Sequence, residues 1–164
     1  MASEKTLKDL FVDTLKDIYF AEKQITRELP KLARAAESDD LRAAFESHLE
    51  ETMGHIERLE RVFEIVDVPA RGKTCEAILG ITEEGKEIVS TFKGTPALDA
   101  GLVSSAQAVE HYEIARYGTL KSWAKQMGLS EAASLLDATL KEEIAADQKL
   151  SRLALDQENR KAAA

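Results

Sequence analysis

From residue 11 to residue 36 the chain repeats one spacing without a break. Phe11, Leu15, Ile18, Glu22, Ile25, Leu29, Leu32 and Ala36 follow one another in alternating steps of four and three. That spacing places side chains on one face of an α-helix and on no face of a strand. A second stripe of the same kind runs through Leu41, Phe45, His48, Thr52, His55, Leu59, Val62 and Val66. A third joins Leu98, Leu102, Ala106, Val109, Glu113, Tyr117, Leu120, Ala124 and Met127, with Trp123 beside it. A fourth joins Ala133, Leu136, Leu140, Glu143, Asp147, Leu150 and Ala154. Four long amphipathic helices must bury their apolar stripes against one another. The fold class is therefore all-α.

The connections set the topology. Thr6 is placed to cap the first helix, Ser38-Asp39-Asp40 the second, and Ser130 the fourth, after Gly128 ends the third. Pro30 lies inside the first stripe and is expected to kink that helix. Short turns near residues 37–40 and 128–130 make two antiparallel hairpins. The stretch from about 67 to 96 is a long crossover carrying a short helical segment, residues 75–92, weakened by Gly80 and Gly85. Two hairpins joined by one long crossover form the ferritin-like four-helix arrangement. A length of 164 residues suits one domain, 1–164, with its core over about 6–154 and a C-terminal tail that loses its pattern and frays.

Charge narrows the partners. Thirty Asp and Glu against 22 Lys and Arg give a net charge of −8, with no basic stripe for phosphates, so no nucleic acid is expected. No apolar run reaches the roughly 18 residues that a bilayer span needs, so no membrane is expected either. The opening MASEKTLKDLF lacks the order of a secretory signal, and the single Cys75 suits a reducing compartment. The expected location is the cytoplasm.

Acids stand where the core should be. Glu22, Glu113, Glu143 and Asp147 interrupt apolar stripes, and Glu51 and His55 share one face of the second helix, with Glu51 just off its stripe. A carboxylate buried alone is costly, so such groups must be protonated, paired or bound to a cation. Counting to the turns gives their heights. Glu22 is about 15 residues before its turn and Glu51 about 14 after it; Glu113 and Glu143 are each about 15 from theirs, or about 22 Å along the helix. Each second acid is followed four residues on by a further candidate ligand, His55 or Asp147. Glu110, one turn before Glu113, offers another oxygen. Oxygen donors with an imidazole and no cysteine cluster suit iron or manganese. His48 reads as a hydrogen-bonded core histidine that could also reach a metal. Tyr19 and Tyr112 are candidates to bond a ligand carboxylate, His111 falls on the surface, and Trp123 and Met127 belong to the core.

The segments DIYFAEKQ (17–24), HLEETMGHIERLE, VEHYEIARYGTL and LKEEIAADQKL, in this order, resemble the YciE/YciF family of ferritin-like bacterial stress proteins over about Thr6 to Ala154. The resemblance implies a four-helix bundle related to rubrerythrin, a homodimer and a two-metal centre. It carries Glu22, Glu51, Glu113 and Glu143 over as four carboxylates, with His55 and Asp147 in the additional positions. The two Glu-to-ligand spacings here, 51 to 55 and 143 to 147, are one residue longer than the Glu-x-x-His of di-iron bundles.

Two functions follow as expectations. In the first, two iron or manganese ions sit among Glu22, Glu51, His55, Glu110, Glu113, Glu143 and Asp147 and react with oxygen or peroxide. In the second, the bundle is a metal-free dimeric stress scaffold whose acids are protonated. A hydrolase with paired carboxylates is disfavoured, because a narrow bundle core offers no cleft for a polymer.

Overall fold

The computed structural model describes residues 4–164. Its elements are α1 (Leu7–Ala35), α2 (Asp39–Ile65), α3 (Glu76–Phe92), α4 (Leu98–Gln126), α5 (Ser130–Leu153), a π-helical turn (Ala154–Glu158) and α6 (Asn159–Ala163). There is no strand among the described residues.

Local chemistry sets the helix ends. Thr6 and Asp9 form a reciprocal capping box: the Thr6 backbone N–H donates to Asp9 Oδ2 at 2.8 Å, and the Asp9 N–H donates to Thr6 Oγ1 at 3.3 Å. Ser38 Oγ accepts from the Leu41 N–H at 3.3 Å and starts α2. Cys75 takes the same role for α3, its Sγ accepting from the Ile78 N–H at 3.4 Å. Gly128, at φ +73°, turns the chain out of α4 in a conformation that suits glycine. Ser130, expected as a cap, is instead the first residue of α5, and Leu129 stands before it without a side-chain bond. Helix α1 runs unbroken through Pro30.

Helices α1 and α2 pair, as do α4 and α5; α2 also lies against α5, and α1 against α4. The long segment between the hairpins carries α3 against α4, with smaller contact to α1. A Cβ at Gly101 would come within 2.6 Å of Ile88 Cγ2, so α3 and α4 approach closely because this position has no side chain. Apolar layers fill both ends of the long helices, with Phe11, Leu15, Leu59 and Phe63 fully or almost fully buried at one end and Leu41, Phe45 and Leu102 at the other. Burial of side chains of this kind contributes about 1.5–3 kcal/mol each. Between the two layers, at mid-helix, the interior is polar.

The start of α4 is tied to the first hairpin turn. Asp99 is buried, and its carboxylate accepts from the Glu37 N–H at 2.9 Å and the Ser38 N–H at 2.7 Å. Asp99→Ala leaves both donors without this partner and is expected to cost about 1–3 kcal/mol, read as a lower midpoint in chemical denaturation with an unchanged helical spectrum.

The C-terminal tail does not end where its stripe does. The chain continues helically through Ala163 with Glu158 buried at 1% exposure; the tail packs on α4, and Gln157 Nε2 donates to Asp40 Oδ2 at 2.9 Å. Among the described residues no helix is long and apolar enough to cross a membrane.

Candidate metal centre

The polar layer is made by α1, α2, α4 and α5 together. Glu22, His55, Glu113 and Glu143 are fully buried, Glu110 is 2% exposed and His48 7%. Two groups of ligand atoms form within it, each with its atoms inside 4.8 Å of one another: His48, Glu110, Glu113 and Glu143, and Glu22, His55 and Glu143. Glu143 belongs to both.

Each imidazole shows one nitrogen to this interior and the other to a carboxylate at its edge. His55 Nδ1 lies 2.9 Å from Glu143 Oε1 and 3.3 Å from Glu22 Oε1, while its Nε2 pairs with Glu142 Oε2 at 2.9 Å. Glu142 is in turn held by Arg58, whose Nη1 and Nη2 donate at 2.7 and 2.8 Å. His48 Nε2 lies 3.0 Å from Glu110 Oε1 and 3.5 Å from Glu143 Oε2, while its Nδ1 pairs with Glu51 Oε2 at 3.1 Å. An outer carboxylate on the second nitrogen fixes the ring and its tautomer, as at histidines that ligate metals. The Tyr117 hydroxyl, fully buried, donates to Glu22 Oε1.

These contacts do not satisfy the site. Glu22 Oε2, His48 Nε2, His55 Nδ1, Glu110 Oε2 and both oxygens of Glu113 and Glu143 are buried without a hydrogen bond. The close distances of His48 Nε2 and His55 Nδ1 to the inner carboxylates are approaches of charge that lack hydrogen-bond alignment. Native interiors leave few polar atoms in this state, and such a concentration calls for a bound group or for protons.

The electrostatics point the same way. Burial pushes the Glu113 carboxyl well above the usual range, reinforced by Glu143, Glu22 and Glu110. Burial raises Glu143 as well; the His55 contact opposes this, and Glu110 and Glu22 add to it. Burial alone would depress His55, yet its contacts with Glu143 and Glu22 carry it to about 10. In His48, too, burial is overcome, by the Glu110 and Glu51 contacts, and the ring stands well above its ordinary value. The outer carboxylates move the other way: the His48 bond lowers Glu51 and the Arg58 bond lowers Glu142. Without a metal the layer therefore holds protons on its imidazoles and on some of its acids.

Five of the seven expected ligand positions, Glu22, His55, Glu110, Glu113 and Glu143, meet in the layer. Glu51 and Asp147 do not. The inward position between His48 and His55 is taken by Thr52, which leaves the Glu51 side chain 43% exposed at the rim, on His48. Asp147 turns towards α4, where its Oδ1 accepts from Gln107 Nε2 at 3.1 Å and pairs with His111 Nε2 at 3.1 Å. His48 enters the layer as a full member. Tyr19 and Tyr112 are engaged elsewhere: the first donates to Glu60 Oε1 at 2.8 Å, and the second donates to Asp17 and lies 3.1 Å from Cys75 Sγ. The hydroxyl that reaches the layer is Tyr117. Glu142 and Arg58 had no signal beyond adjacency, Glu142 next to Glu143 and Arg58 one turn after His55.

Comparison with known proteins agrees with this architecture. The family model described as a domain of unknown function, DUF892, matches residues 6–163. Protein YciF of Escherichia coli strain K12 is 47% identical over 159 residues, 96% of each chain. The crystal structure of the E. coli stress protein YciF superposes with a TM-score of 0.91 at 46% identity, covering 95% of this chain and 99% of that one. YcfI from Rhodopseudomonas palustris gives 0.87 at 46% identity over 90% of this chain and 94% of that one. A protein from Xanthomonas campestris pv. campestris, 24% identical, shares the fold with a TM-score of 0.72 over 92% of both chains. A match across nearly the whole length, in both sequence and backbone, places this chain in the DUF892 family, with the YciF-type stress proteins.

Proposed function

We propose that the chain is a ferritin-like four-helix bundle whose polar layer is a two-metal carboxylate centre for iron or manganese. The observation that carries this reading is the pair of ligand groups sharing Glu143, with eight buried nitrogen and oxygen atoms left without hydrogen bonds. The donors are carboxylate oxygens and imidazole nitrogens, and Cys75 lies apart at the start of α3. That set suits iron or manganese in an oxygen-rich site. Bound metal would supply electron transfer to an oxidant such as oxygen or peroxide.

The residues divide by role. Glu22, Glu110, Glu113, Glu143, His48 and His55 would hold the ions. Glu51 and Glu142 fix the two imidazoles, Arg58 fixes Glu142, and Tyr117 holds one oxygen of Glu22 by its hydroxyl. The apolar layers at either end limit entry of bulk water and preserve the ligand positions. A homodimer belongs to the same reading, carried by the resemblance to YciE/YciF proteins, and a cytoplasmic location agrees with the single Cys75.

The assignment of outer and inner carboxylates is testable by metal titration. Glu142→Ala and Glu51→Ala are expected to weaken manganese(II) or iron(II) binding by about 10–100-fold, with stoichiometry retained at saturation. Asp147→Asn is expected to bind as the wild type does. Full-strength binding in the Glu142 and Glu51 variants would contradict the assignment. The metal-free scaffold keeps one observation in its favour: His48 and His55, once protonated, already face Glu110, Glu22 and Glu143. It predicts no saturable metal uptake at all.

A further inference from the structure

A cavity of about 490 Å³ opens beside the polar layer, and all five long helices contribute to its wall. Ile25, Leu29, Phe45, Val89, Val109 and Leu150 make it mainly apolar. Its volume falls in the range of sites for small organic molecules, about 300–1,000 Å³, and far exceeds the needs of oxygen or peroxide. His48 and Glu110 also line it, so it reaches the layer where His48 Nε2 and Glu110 Oε2 are buried without hydrogen bonds.

The charges around it are unequal. Glu28 is paired with Lys31 at 3.1 Å and lies 4.0 Å from Lys86, and Glu51 is taken by His48. Lys149 and Arg152 border the same cavity, are exposed, and form no ion pair among the described residues. They follow Glu143 by six and nine residues, which is about 9 and 13 Å along α5. The cavity thus has a polar inner limit, apolar walls and two free cations at a distance from the carboxylates.

We propose that this cavity binds an amphiphilic organic anion, its carboxylate on Lys149 and Arg152 and its apolar chain directed along the walls towards His48 and Glu110. Free cations at one end select a negative head, and the apolar walls select a hydrocarbon tail. The binding stands on the cavity alone; its role as a substrate or effector site rests on the metal-centre reading above.

Calorimetric titration of the metal-free full chain with decanoate, decanol and decylamine tests this directly. Decanoate is expected to bind saturably at one molecule per chain, and decanol and decylamine more weakly. The double change Lys149→Glu with Arg152→Glu, at two exposed positions, is expected to weaken decanoate by about tenfold or more. Ala146→Phe, which fills the cavity from α5, is expected to remove binding. Both variants should keep the wild-type helical spectrum and metal uptake. Absence of saturable decanoate binding to wild type would overturn the proposal. So would charge reversal without effect, retention only on anionic vesicles, or a dimer that Ala146→Phe disperses and decanoate leaves intact. Saturable decanoate binding by a chain that takes up no metal would support the cavity and overturn only the metal reading.

Discussion

Glu113→Gln is expected to abolish stoichiometric metal uptake while leaving the metal-free chain as stable as wild type or slightly more so. Glu113 is fully buried, has no hydrogen bond to either oxygen, and is pushed by burial and three neighbouring carboxylates towards its neutral form. A buried acid that is already neutral differs little in shape and charge from an amide, so the change costs the metal-free fold little. Where the acid is still partly ionised, the amide is better by about 1–2 kcal/mol, since it avoids buried like charge. For a metal the same change replaces an anionic donor with a weak neutral one at the centre of a ligand group. Elemental analysis after anaerobic loading, with denaturant midpoints of the metal-free proteins, reads both effects. A variant that loads fully would remove Glu113 from the ligand set, and one that is strongly destabilised without metal would show that its carboxylate is a structural anion.

Metal-free protein is expected to lose stability steadily as pH rises from about 6.5 to about 10. His55 sets the window: its ordinary value of 6.5 is raised to about 10 in the fold. The folded state therefore holds a proton through that window that the unfolded chain has given up. The stabilisation is complete below pH 6.5 and is lost as pH rises through the folded value. His48 acts in the same sense, being raised well above its ordinary value. Glu113, raised by burial, adds a loss that begins once the unfolded carboxylate ionises. The combined effect is on the order of a few kcal/mol, since each tenfold gain in proton affinity on folding corresponds to about 1.4 kcal/mol. Metal displaces these protons, so uptake at neutral pH should release protons and tighten with rising pH. Denaturation at half-unit pH intervals, with and without manganese(II), checks this; metal-free stability that climbs across the window would contradict it.

The helices were legible because four stripes of alternating steps have only one regular solution, and their ends carry caps that act locally, as at Thr6, Ser38 and Gly128. The height of the site was legible for the same reason, since Glu22, Glu113 and Glu143 stand at matched distances from their turns. The facing of individual residues at that height was not. Glu51 has the right height, but Thr52 holds the inward position. His48 and His55 reach the layer from one turn on either side. Spacing of four puts two residues on roughly one face without saying which of two neighbours points inward. Asp147 shows the same limit, because Gln107 and His111 on α4 offer it partners that only the packed bundle brings near. Glu142 and Arg58 are invisible to periodicity, since both work by reaching across from half-exposed positions. The helical tail was not legible, because it is held by packing on α4 and by the Gln157 bond to Asp40, partners far away in the sequence, after its own stripe has ended.

Anomalous diffraction from crystals of the full chain loaded with manganese(II), with data collected on both sides of the metal absorption edge, locates the ions themselves. Two peaks per chain are expected inside the bundle, one among His48, Glu110, Glu113 and Glu143 and one among Glu22, His55 and Glu143. An interior without peaks in crystals that hold manganese only on surface acids would contradict the two-metal centre and leave the metal-free scaffold.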